Sequence, residues 1–412
     1  MKFQPILIIT FFLLSSFISG CSSQKIKLNE KSHTDAIHEL GENYNSLSDL
    51  SKEDKKEGRG NVWNETNPLT LEQAIKRAKT ANIELRLAAL TALAEKDKIP
   101  LEELKALPEF KAVYTSRGRN NLSASRSQSV LTGAQNLGPS VSSDQYRQTF
   151  DLDTRWNLLD VALALSRSER TRNQAEALKE QYARAYHSLR RDVTDIFWRA
   201  YIWQVTGQEI QKQRRDLTKL QDKFAKAQET GILSSQEAGQ KNEILSSKLR
   251  ALSDFQRRFS QAETELKKLL SLPFDQPVIL SRPDENIARQ AADLLSENIE
   301  AQEQEALLHR PEMRAAFLRQ NAAHENIRQE ILKTFPGAEA FLGVNWDSNS
   351  FLLNNNFNDF FFSLSQSLTD ILTFQQRRQA AQSELTTQKN RSLALYASIL
   401  SQIRLSRLNL QI

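Results

Sequence analysis

Residues that break helices, and residues that do covalent or metal chemistry, are both scarce in this 412-residue sequence. It holds 12 glycines and 10 prolines, few for its length, so long uninterrupted helices are expected. Its single cysteine excludes an intrachain disulfide. The five histidines, His33, His38, His187, His309 and His324, are scattered, and none pairs with another at ligand spacing across a helix turn. No glycine-rich phosphate loop occurs either. These absences leave no catalytic residue, metal site or cofactor to assign, and the chain is expected not to be an enzyme. The formal net charge of +5 is small against 55 basic and 50 acidic residues. The two signs are interspersed along helical stretches, which describes a solvated helical surface and gives no nucleic-acid partner.

The first residues are of a different kind. Lys2 precedes the apolar run "ILIITFFLLSSF", which ends at Ile18-Ser19-Gly20-Cys21. The run is short for a permanent membrane helix and has the form of a cleavable signal over residues 1–20. The tetrapeptide resembles a bacterial lipobox, in which the cysteine becomes the acylated first residue. Cys21 is therefore the expected lipid-attachment site, each buried methylene adding about 0.8 kcal/mol of membrane affinity. The resemblance, with Ser22 after the cysteine, implies the outer membrane of a Gram-negative bacterium. Residues 21–66 are polar and nearly aperiodic, as in "LSKEDKKEGRGN", and read as a flexible tether.

Helical periodicity starts at Leu69, after Asn67-Pro68, and meets no strong breaker before Pro100. A second, longer helix is predicted from about residue 160 to 229. Leu178, Tyr182, Ala185, Leu189, Val193, Ile196, Ala200 and Trp203 follow one another at spacings of three and four. Ile210, Leu217 and Phe224 continue the stripe at sevens. That is a heptad seam, along which two helices pack over a great length. Beyond Gly231 the seam resumes with Leu245, Leu249, Leu252, Phe255, Phe259, Ala262, Leu266 and Leu269, and Pro273 closes it. The pattern predicts an antiparallel helical hairpin over 160–270, reversing at Gly231. Trp198 and Trp203 lie close to the seam and read as packing residues.

Four stretches have period two instead. Phe150, Leu152, Thr154 and Trp156 alternate with Asp151, Asp153, Arg155 and Asn157. Ala338, Ala340, Leu342, Val344 and Trp346 alternate with Glu339, Phe341, Gly343 and Asn345. Phe360, Phe362, Leu364 and Leu368 alternate with Phe361, Ser363, Ser365 and Ser367, and "FKAVYTSRG" alternates more weakly. Strands at 108–117, 148–157, 337–347 and 358–368 are predicted, and one apolar and one polar face suits strands between lipid and water as well as a soluble sheet. An internal repeat orders these parts. "NIELRLAA" at 82–89 recurs as "RPEMRAAF" at 310–317, and Pro108 recurs as Pro336. Each repeat is helix, strand, loop, strand, long helix. The first occupies 67–280. The second, 281–412, holds a helix at 302–334, its strands, and a helix at 370–412.

In that order these residues resemble the TolC-like outer-membrane efflux proteins. The shared features are the lipobox, the opening "LTLEQAI" with its second copy "RPEMRAA", and the proline of "LPEF" before the outward strand. The "RWNLLD" ending the return strand, "LLSLP" ending the returning helix, and "TGILSSQE" at the tip complete the set. The resemblance implies a mainly α fold: a long coiled-coil helical tunnel plus four antiparallel strands lent to a trimeric transmembrane β-barrel. It implies a homotrimer acting as the passive exit duct of a tripartite efflux or type I secretion system. Its partners would be a periplasmic adaptor protein, an inner-membrane RND or ABC transporter and outer-membrane lipids. Gly231, Ile232, Leu233, Ser234 and Ser235 would form the tip that docks on the adaptor, with both serines capping the following helix. The second long helix ends after only about 60 Å, with no second tip. That departure favours an incomplete second repeat, which would leave a non-transporting remnant as one alternative. A periplasmic adaptor lipoprotein is another, although adaptors frame a single hairpin with Gly- and Val-rich β domains. A purely structural coiled coil is disfavoured by the four alternating strands.

Overall fold

The computed structural model describes residues 67–135, 138–282, 295 and 298–411. All lie in the compact unit Val62–Ile412; the signal, Cys21 and the tether lie outside the described residues.

The first helix, α1 (Leu71–Ala81), starts at a capping box. The Gln73 amide N–H donates to Thr70 Oγ1 at 3.2 Å, and the Thr70 N–H donates to Gln73 Oε1 at 3.1 Å. The helix does not run on to Pro100, contrary to the sequence reading. Asn82 adopts an extended conformation (φ −64, ψ 123) and caps a new helix, α2 (Ile83–Lys96), by accepting from the Leu85 N–H at 2.9 Å. Its side-chain amide donates to the Leu269 carbonyl at 3.1 Å, and the residue is buried. A polar side chain at a buried position is satisfied here only by ending one helix and starting the next. A short α3 (Ile99–Leu104) carries Pro100 in its first turn.

The same break recurs further on. Arg310 (φ −67, ψ 129) separates α7 (Ile299–His309) from α8 (Pro311–Leu332), where a single helix over 302–334 is expected from the sequence. Leu71 and Ile299, Ile83 and Pro311, and Glu109 and Gly337 are each first residues of elements and each lie 228 positions apart. The first residues of the two long helices, Leu158 of α4 (Leu158–Glu229) and Leu368 of α9 (Leu368–Gln411), lie 210 apart. The shorter second offset reflects the loop between strands, which is long in the first half.

The main sheet contains β1 (Glu109–Gly118), β4 (Tyr146–Asn157), β5 (Gly337–Asp347) and β6 (Asn356–Ser365), antiparallel in the order β1-β4-β5-β6. A two-residue pair, β2 (Ala124–Ser125) with β3 (Ser140–Val141), sits inside the β1–β4 loop. Strand β4 passes into the 72-residue α4 with no loop, because Asn157 Oδ1 accepts from the Leu159 N–H at 3.0 Å and caps it. Helix α4 then carries the packing. Helices α2, α4, α8 and α9 lie side by side in that order, and further along α4 meets α5 (Ser235–Phe259) and α6 (Ala262–Leu269).

The core lies where α1, α4 and α6 meet. Leu69, Phe197, Val193, Ala262 and Leu270 are fully buried there. The segment after α6 is threaded against the chain start: the Leu69 N–H donates to the Ile279 carbonyl, and the Ser281 N–H donates to the Leu69 carbonyl. Gln204 clamps the same segment, accepting from the Leu280 N–H at 2.9 Å and donating to its carbonyl at 3.2 Å. The predicted stripe is present in this region, with Leu189, Val193 and Ala200 buried beside Phe197. Trp203 lies over Gly207, where a Cβ would come within 3.0 Å of the indole. That close approach gives both residues a packing role.

Candidate functional site

The register turns four separate alternations into two continuous faces. Phe110, Thr154, Leu342 and Phe360 are successive partners across the sheet, as are Tyr114, Phe150 and Trp346. Trp156, Ala340 and Phe362 form a further row. Phe150, Trp156, Trp346 and Phe362, the aromatic residues expected to share a face, do so. This face has little cover within the chain: Phe110, Leu152, Leu342, Phe360 and Phe362 are all exposed, Phe360 at 84%. So many uncovered apolar side chains on one face mark a surface that meets something other than water.

The opposite face is mainly polar, and on the inner strands β4 and β5 it is largely half-buried or buried. Asp151 pairs with Asn345, and Asn345 donates to Asp359 at 3.1 Å. Phe341, Phe357 and Phe361 are the aromatic exceptions on it. The rings of Phe341 and Phe361 stack at 4.6 Å, and Arg155 lies over Phe341 at 5.2 Å. Towards the loop end, Arg147 Nε donates to Asp347 Oδ1 at 2.8 Å, and its Nη2 donates to the other oxygen. Asp347, buried, also accepts from the Asn349 N–H at 3.0 Å. Asn349 then ties the two loops together, donating to the Ser142 carbonyl at 3.1 Å and accepting from the Asp144 N–H at 3.0 Å. Ser350 Oγ donates to Asp144 at 2.8 Å. None of this network was visible in the sequence, because its partners lie about 200 positions apart and no local pattern links them.

At the other end of α4 the chain reverses as predicted. The Gly231 N–H donates to the Gln228 carbonyl at 3.1 Å, and the Ile232 N–H donates to the Ala227 carbonyl at 2.9 Å. Gly231 has φ +73. These bonds form a Schellman cap, which requires a left-handed residue and therefore favours glycine. In such a cap the residue after the glycine commonly packs back on the helix it has just left. Ile232 does not: it is 78% exposed. Leu233 beside it is half-buried. The two are therefore not equivalent, and Ile232 is the bare apolar residue of the tip.

Ser234 alone caps the following helix. Ser235, expected to share that role, is its first helical residue. Ser234 Oγ accepts from the Glu237 N–H at 3.2 Å and donates to the Glu237 carboxylate at 2.8 Å. The side-chain and backbone hydrogen bonds from Ser234 hold the Glu237 carboxyl below the usual carboxylate range. The signal for this box, Ser-x-x-Glu, was present in "SSQE" and passed over. Along the hairpin, Ala238, Asn242, Leu245, Leu249, Leu252, Gln256 and Phe259 are covered at alternating fours and threes, with Ser246 and Phe255 beside them. Phe255 and Phe259 stack at 4.3 Å. Among the described residues no helix is long and apolar enough to cross a membrane, and no group of acidic, histidine or cysteine side chains could hold a metal ion.

No family model and no curated protein matches the chain. Solved structures do match it over most of its length. CusC, described in terms of its folding and transmembrane channel formation, aligns with a TM-score of 0.56 at 16% identity, covering 83% of this chain and 76% of that one. The open-state outer-membrane channel MtrE of Neisseria gonorrhoeae aligns at 0.52 and 19% identity, covering 81% and 70%. The outer-membrane protein VceC of Vibrio cholerae aligns at 0.53 and 13%, covering 81% and 75%. At these identities the likeness is one of fold.

Proposed function

With the fold of the TolC-like outer-membrane channels as premise, we propose that this chain is the outer-membrane exit duct of a tripartite efflux or type I secretion system. One observation carries the reading. A four-stranded sheet bares an apolar face, keeps its other face polar, and has no partner for the outer edges of β1 and β6 among the described residues. In hydrocarbon an open edge is untenable, because every backbone N–H and C=O needs a partner. Four strands are also too few to close a barrel. Three copies joined β6 to β1 close one of twelve, apolar outside and polar within, as a homotrimer in the outer membrane.

Helix α4 then extends the duct about 108 Å into the periplasm, at 1.5 Å for each of its 72 residues. Its tip, Gly231 to Ser235, meets the helical hairpin of a periplasmic adaptor, and Ile232 with Leu233 supplies the apolar contact. An inner-membrane RND or ABC transporter provides the energy, and the duct itself is passive. Acylation of Cys21 holds the tether to the membrane.

The test is complementation of efflux in cells lacking the chain, scored as dye accumulation, with trimer level read on native gels. Ile232→Asp is expected to abolish efflux while leaving trimer level unchanged, and Leu233→Asp to lower both, because that side chain is half covered. Efflux that survives Ile232→Asp removes the docking role. A wild-type chain that stays monomeric in the membrane removes the duct.

A further inference from the structure

A pocket of about 370 Å³ lies beside α4, lined by Glu95 of α2, by Gln174 and Gln181 of α4, by Arg319 of α8, and by Glu384 and Gln388 of α9. These four helices pack side by side in one layer. A pocket that four consecutive helices line together lies on the concave side of their layer, where side chains from non-adjacent helices converge. In the duct reading, on which this inference rests, that side faces the passage.

The polar groups around the pocket carry both signs. Glu95 pairs with Lys98 at 2.7 Å, and Glu384, with no ion-pair partner among the described residues, accepts from Asn326 at 3.0 Å. Apart from Asn326, the donors of the lining are not engaged. Arg319 has no ion-pair partner among the described residues, and the side-chain amides of Gln174, Gln181 and Gln388 make no hydrogen bond there. Arg184 of α4 and Arg391 of α9 stand near Arg319, adding positive charge from the helices on either side. Burial, and then the charges of Arg391 and Arg184, push the Arg319 guanidinium below its usual value. An arginine remains charged under such a shift, so these groups repel one another until an anion enters.

We propose that this pocket binds small multivalent organic anions, with Arg319 as the principal anchor and the three glutamines as neutral donors. The volume falls within the range of small-ligand sites. A planar guanidinium matches the paired oxygens of a carboxylate or sulfonate. Cargo of this class would be retained briefly along the wall, and neutral or cationic cargo would not.

The experiment uses the purified full chain in a nonionic detergent and the trisulfonate dye 8-hydroxypyrene-1,3,6-trisulfonate, followed by fluorescence anisotropy. Saturable binding at one site per chain is expected. Arg319→Gln should weaken it about tenfold, as loss of one charged hydrogen-bonding group does. Gln388→Glu should weaken it similarly, without removing the arginine. Arg314→Gln alters the same helix but a guanidinium already paired with Glu180 at 2.7 Å, and it should leave binding within about twofold. Absent binding, or equal loss in Arg319→Gln and Arg314→Gln, overturns the site. Binding that persists in a chain unable to restore efflux upholds the site and sinks the duct instead.

Discussion

Single residues at the tip decide how the hairpin turns. Gly231 supplies the left-handed conformation, and Ser234 with Glu237 closes the next helix by a reciprocal pair of hydrogen bonds. Replacing Ser234 by Ala is expected to destabilise the start of α5 by about 1 kcal/mol. It should also return the Glu237 carboxyl towards the ordinary range, which a carboxyl NMR titration of the two proteins would show. The sign follows from the lowered value. Glu237 stabilises the folded cap above the carboxylate pKa of the unfolded chain, and that contribution is lost as pH falls through the lower folded value. Acid therefore frays the tip of the wild-type protein, and the Ala variant shows less of this dependence.

The elements were the most legible level of the sequence, and for a physical reason. Both the heptad of α4 and α5 and the alternation of the strands repeat many times, so one exception does not hide them. The breaks at Asn82 and Arg310 were missed because each rests on a single residue. Pro311 marks one of them only as the residue following the break, and Asn82 shows its capping role only once Leu269 lies across from it. The faces of the sheet permit a direct test. Leu152 is exposed on the apolar face and Asp153 half-buried on the polar one. Arg at position 152 should impair membrane assembly, with a cost of about 2–4 kcal/mol at mid-depth, and Arg at 153 should be tolerated. Heat-modifiable migration of the trimer on gels measures both. In the core, Phe197→Ala empties a fully buried site joining α1, α4 and α6. It should cost about 3–5 kcal/mol, read as a lowered unfolding midpoint of the helical signal.

For the whole molecule, the bare face and the open edges of the sheet are what motivate the proposed assembly of copies. The proposed number of copies rests on how many strands close a ring. The proposed lipid anchor belongs to this scale too, since Cys21 would tie the tether to the membrane that the proposed duct crosses. Metabolic labelling with a fatty-acid analogue is expected to mark the wild-type protein and to fail on Cys21→Ser. Label retained in that variant would show that acylation is elsewhere.

The unbroken junction of β4 with α4 would make the proposed duct a measuring rod. With no loop at Asn157, the angular position of every side chain on α4 is phased from the sheet, about 100° per residue all the way to Glu229. A deletion of one residue from α4 would therefore turn the tip to present a different side, whereas removal of seven from each arm of the hairpin would keep its bearing and draw it in by about 10 Å. Length and bearing are thus separately adjustable quantities, and changes close to a whole number of turns, a heptad among them, alter one while nearly sparing the other.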